Sequence, residues 1–220
     1  MPEYLAPGVY VEESSLVHGP IAPSPTSTTA FVGATLKGSL HTATEVSSFA
    51  EYREAFGSAS SASPVSLAVL HFFSNGGQKA IVVRAAPAGT RGRTRVGFSD
   101  VIGEAGKGTG IHALGTSPSP GLLATPDAGA MTLREHHSLV KAVLSYCEEH
   151  RIFYIVDVPR LRPKQDSVET VIDWAQRSGA LRHPNAAVYI PRLRTSDPSE
   201  NRVRSSLRKH CPRCCPTTAG

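Results

Sequence analysis

Cysteine is almost missing from the body of this chain. Cys147 stands alone there, while Cys211, Cys214 and Cys215 crowd the last ten of 220 residues. Such a distribution excludes a disulfide framework, which needs spaced, paired cysteines. Aromatic residues make up only 6% of the chain, and basic residues do not interleave with them, so the stacking platform of a single-strand nucleic-acid binder is lacking. No apolar run approaches the ~18 residues that would span a bilayer. The opening MPEYLAPGVYVEE has neither a basic n-region nor an apolar h-region, which excludes a secretory signal and predicts cytoplasmic synthesis. No G-x-S-x-G elbow, H-E-x-x-H pair or kinase signature occurs.

What is present is ordinary for a globular protein: 40% hydrophobic and 19% charged residues. The net charge of +5 is uneven. Residues 195–220 hold five basic side chains (Arg202, Arg204, Arg208, Lys209, Arg213) and two acidic ones (Asp197, Glu200), leaving eighteen and sixteen for the rest. The body is nearly neutral, so no nucleic-acid partner is expected.

The chain divides by composition into five stretches. Residues 1–28 read as an extended arm, with Val9, Tyr10 and Val11 favouring β structure, and a linker stiffened by Pro20, Pro23 and Pro25. Residues 29–85 open the α/β core. Thr29–Ala34 is an apolar strand ended by glycine, and Thr44–Val46 is a candidate second strand. Ser48 and Glu51 form a capping box before a helix with Phe49, Tyr52 and Phe56. Pro64 suits the first turn of another helix carrying Leu67, Leu70, His71 and Phe73, closed by Asn75-Gly76-Gly77. Ala80–Arg84 is a β-branched run, the pattern of a strand covered on both faces. Residues 86–121, rich in Gly, Thr, Arg, Ser and Pro, read as an insertion, a loop or small β subdomain.

Residues 122–194 continue the core. Leu122–Ala124 is a short strand ending at Pro126-Asp127. Thr132 and Glu135 cap a helix with Leu139, Val140, Val143, Leu144 and Cys147 on one face. Ile152–Val158 is a buried strand. Asp166 and Glu169 cap a helix with Val168, Val171, Ile172 and Ala175 on one face, and Ala186–Ile190 is the last strand. This alternation predicts an α/β fold: a mostly parallel sheet with helices on both faces. From 195 to 220 no apolar period remains, as in an out-of-frame reading or a disordered basic tail.

Four constellations could carry chemistry. Asp127 and Asp157 fall at the carboxyl ends of predicted parallel strands, where open α/β sheets bind ligands; strand-end aspartates also serve simply as turn residues and caps. Gly103–Gly110 invites a phosphate-loop reading but lacks the G-x-x-x-x-G-K-[ST] spacing and a strand leading into it. His136 and His137 are expected on different sides of one helix, as surface histidines like His71, and not as joint metal ligands. His210, Cys211, Cys214 and Cys215 supply only one half of a structural zinc site. The expectation is therefore no catalytic residue, no cofactor and no metal.

Read in order, several segments resemble the tail sheath proteins of contractile phages and phage-like injection particles. They are Tyr4–Glu13, Ser27–Gly33, Glu45–Gly57, Leu67–Arg84 with its His-Phe-Phe-Ser-Asn-Gly-Gly core, Leu122–Asp127, Tyr146–Pro159 and Asn185–Pro198. The resemblance implies a structural subunit with a subtilisin-like domain lacking the protease triad. It implies partners of the same kind in hexameric rings around an inner tube protein, inside a phage tail or phage-like particle, with no direct membrane insertion. It also implies a self-association arm at Gly8, Val9, Tyr10, Val11, Glu12 and Glu13, whose free backbone groups would add a strand to a neighbour's sheet. Sheath proteins continue past Pro198 into a second half, and here the basic tail stands in its place, so the resemblance is to a C-terminally truncated subunit. The alternative is a small α/β enzyme or nucleotide-binding domain using Asp127 and Asp157.

Overall fold

The structure, a computed structural model, describes residues 28–86, 96–116, 119–160 and 168–190. The arm residues Gly8 to Glu13 and the tail 195–220 lie outside them.

Six strands form one sheet in the order β2-β3-β1-β4-β5-β6. The strands are β1 (Thr29–Ala34), β2 (Ala43–Val46), β3 (Ala80–Ala86), β4 (Leu122–Ala124), β5 (Phe153–Val156) and β6 (Ala186–Val188). All neighbours run parallel except β2, which lies antiparallel to β3 at the edge. The mixed, mostly parallel α/β sheet is the one the alternating pattern predicts. Strands β1 and β3 are largely apolar, broken by Thr29 and Arg84, because both their faces are covered: all six residues of β1 are buried.

Helices α1 (Phe49–Phe56) and α2 (Pro64–Ser74) pack on one face. Their Tyr52, Phe56, Val65 and Val69 close a core with Phe31, Ala80, Val82 and Ala124. Both helices begin as the sequence specifies. Glu51 N donates to Ser48 Oγ at 3.2 Å, and Ser66 N donates to Ser63 Oγ at 3.2 Å with Pro64 in the first turn. The buried stripe of α2 is Val65, Ser66 and Val69, while Leu67 and Leu70 are half-buried and His71 is exposed. That helix is apolar nearly all round, so its sequence does not say which face meets the sheet.

On the other face lie α3 (Phe98–Ile102), α4 (Leu133–His150) and α5 (Val168–Ser178). Alternate strand residues Ala30, Val32, Ile81, Val83, Leu123, Tyr154 and Val156 meet Leu139, Val140, Val143, Val171 and Trp174 there. Two expectations are corrected. The described part of 86–121 is not a loop or β subdomain: it holds α3 and 3-10 segments at Ala105–Lys107 and Gly110–Thr116. Val96, Val101, Ile111 and Leu114 from this stretch are all in the main core. In α5, Val168 and Ile172 are 59% and 41% exposed, whereas Val171, Trp174 and Ala175 are buried. The indole of Trp174 is the largest apolar group on the helix, and its burial sets the helix rotation.

Candidate functional site

The chain leaves β1 toward β3 on one side and returns to β4 on the other. That reversal places a topological switch point at the carboxyl ends of β1 and β4, the position where open α/β sheets bind ligands. Strand β1 is six residues long and β4 only three, so Thr29, Ala30 and Phe31 have a β4 partner and the rest of β1 does not.

Asp127 fills that vacancy. It sits in the 3-10 segment Pro126–Ala130 directly after β4, is 4% exposed, and its Oδ2 accepts the Ala34 backbone N–H at 2.8 Å. The carboxylate thus takes the place of a strand carbonyl. The Ala34 carbonyl is also engaged, accepting from Ser63 Oγ at 2.7 Å. Gly33 makes this possible: a Cβ there would lie 2.0 Å from Asp127 Oδ2 and 2.7 Å from Val65 Cγ2. Nearby, Thr125 Oγ1 and Tyr154 Oη are matched to each other, 2.7 Å apart.

The electrostatics follow from this burial. Loss of solvent pushes the Asp127 carboxyl up to about 7; the Ala34 hydrogen bond opposes the shift, and the Asp157 charge adds to it. Burial also pushes the phenols of Tyr52 and Tyr154 up, keeping both protonated. The two predicted strand-end aspartates therefore do share one edge, close enough to influence each other. Their surroundings are those of a clamp. The hydroxyl beside Asp127, Ser63, is committed to a carbonyl, and the backbone N–H that would greet a phosphate is committed to Asp127.

His136 corrects a further expectation. It is fully buried, not a surface residue. Its Nε2 lies 2.8 Å from the Asp157 carbonyl oxygen, and its ring meets the Trp174 edge at 5.1 Å. His137 stacks on the same indole at 6.3 Å, so the two histidines bracket one ring. Among the described residues, no group of three or more His, Cys, Asp or Glu side chains could hold a metal. Gly103 and Gly110 pack backbone to backbone at positive φ behind α3, and Lys107 pairs with Glu104 at 2.8 Å, so that stretch is a tight turn. Sequence reasoning missed Ser63 as the second arm of the clamp. The Ser-Pro start of α2 was the available signal.

The site therefore defines a doubly wound α/β domain whose switch point is occupied by its own Asp127 and Ser63 side chains, both bonded to Ala34. No family model and no curated protein matches the chain. Among solved structures, it is similar to a chain of the anti-feeding prophage baseplate in its contracted state. That match has a TM-score of 0.57 and 19% identity, and covers 88% of this chain and 49% of the other. It also matches the anti-feeding prophage helical sheath in its contracted state, with a TM-score of 0.42, 19% identity, and 70% and 40% coverage. The shared feature is the fold, and this chain spans about half the length of the baseplate chain.

Proposed function

We propose that this chain is a structural subunit of a contractile tail or phage-like injection particle, of the sheath type, and not an enzyme. The observation that carries the reading is the fold shared over 88% of the chain with the contracted baseplate component. The ordered sheath-like segments from Tyr4 to Pro198 point the same way. The occupied switch point supports it further: a nucleotide or substrate there would have to displace a carboxylate already bonded to Ala34.

Assembly in this reading runs through Gly8 to Glu13. An extended segment offers backbone donors and acceptors at every residue, and pairing them on another subunit's sheet makes few demands on side chains. In this reading the linker through Pro20, Pro23 and Pro25 lets the arm reach a neighbour and hinge. Its partners are other subunits of the same kind and an inner tube protein.

The test is sedimentation and negative-stain electron microscopy of the full chain beside Val9→Asp/Val11→Asp. Large assemblies formed by the parent and lost in the double variant are expected. Assembly that ignores both substitutions overturns the arm. A raised melting temperature with nucleotides or divalent ions would overturn the structural reading in favour of a ligand-binding domain, because a ligand selective for the native state stabilises it.

A further inference from the structure

The two edges of the sheet differ in chemistry. At one, β2 carries Glu45, ion-paired with Lys79 beside β3. Charges on an edge discourage pairing with another chain. At the other, β6 pairs with β5 alone among the described residues. The run from 185 to 190 is Asn-Ala-Ala-Val-Tyr-Ile, without charge, proline or glycine. The three residues of β6 are half-exposed, and Tyr189 and Ile190 just beyond it are 70% and 42% exposed. The strip leading to this edge on the α1–α2 face is apolar as well: Leu122, Phe153, Ile155 and Ala187 are each half-buried.

The occupant that fits this edge is a second copy of the same chain, because the segment is complementary to itself. In an antiparallel pair centred on Val188, Ala187 of one copy stands opposite Tyr189 of the other, and Ala186 opposite Ile190. Each large exposed side chain meets a small one, and no like charges face each other. The geometry points to a two-fold contact through residues 186–190 that joins two sheets edge to edge. A five-residue strand pair buries less than the ~1,200 Å² at the low end of stable interfaces, so the contact is weak and concentration-dependent. It is separate from the arm at residues 8–13.

Sedimentation velocity of the full chain over a wide concentration range, with hydrogen exchange of the same samples, tests this. A dimer fraction that rises with concentration is expected, with the amides of Val188 and Ile190, which alternate away from β5, slowing in step. Ala187→Lys, at a half-exposed position, replaces the small residue opposite Tyr189 with a long charged one and brings the two lysines together on the diagonal across the two-fold, and should weaken the dimer by at least about tenfold; Tyr189→Lys provides a second, independent disruption. The series is repeated with Val9→Asp/Val11→Asp present, so that loss of the arm and loss of the β6 contact are read separately. A monomer throughout, or a dimer indifferent to both lysines, overturns the contact. Protection of those two amides that is equal at every concentration also overturns it, since the chain's own residues would then occupy the edge.

Discussion

The sheet has two halves built to different standards. In β2-β3-β1, helices α1 and α2 lie on one face and the α3 region on the other, and the central strands are apolar apart from Thr29 and Arg84, which are themselves buried. In β4-β5-β6, α4 and α5 cover one face, and among the described residues the other is buried only at Ala124. Strand β5 accordingly alternates between buried and half-buried residues, and β6 is half-exposed throughout. A parallel sheet is normally buried on both sides. The first half behaves as the stable platform, and the second is where further polypeptide can add apolar contact. Between them stands the β1–β4 junction, three residue pairs lengthened by one carboxylate.

The largest effect should come from the fully covered half. Phe31, 5% exposed and edge-on to Phe72 at 5.6 Å, fills the space under α2. Phe31→Ala should cost about 3–5 kcal/mol in urea unfolding, from lost burial plus the cavity left behind.

The junction comes next, and it titrates. The folded chain holds the Asp127 proton more tightly than the unfolded chain does, since its pKa rises from 3.8 to about 7. The stability this group contributes is fully present below pH 3.8, is lost as the pH climbs to about 7, and is constant above that. Asp127→Asn keeps an oxygen for Ala34 without the charge. It should flatten that window and leave the protein more stable at pH 8, by at most about 4 kcal/mol at 1.36 kcal/mol per pKa unit. Urea midpoints measured from pH 4 to pH 8 in both proteins check this.

The smallest effect belongs to the one-sided half. Ile155 is half-buried on the face that α4 and α5 leave free. Ile155→Ala should cost only about 1–2 kcal/mol, because little cavity forms where water or a partner can enter. A loss equal to that of Phe31→Ala would erase the distinction between the halves.

Much of this was legible from local signals. The capping boxes at Ser48–Glu51 and Thr132–Glu135 appear as read, each with its serine or threonine oxygen accepting a backbone N–H. The β-branched run at 80–84 is a buried strand. Elements whose burial depends on distant partners were misread. Residues 96–116 look like loop because glycines dominate, yet Val101, Ile111 and Leu114 are spaced to meet the sheet in a way no single period reveals. The face of α5 follows from Trp174, and the burial of His136 from that same indole on another helix. At the candidate site, the two aspartates were found from strand ends alone. Their use was not, because the partner of Asp127 is a backbone amide on β1, far away in the sequence.

Gly33 and Asp127 have a consequence for how this chain can change over generations. Any side chain at 33 collides with the carboxylate and with Val65. Neither position can drift while the other stands still. Two letters far apart in the sequence are inherited as one, and variation among this chain's descendants should show them kept together or exchanged together.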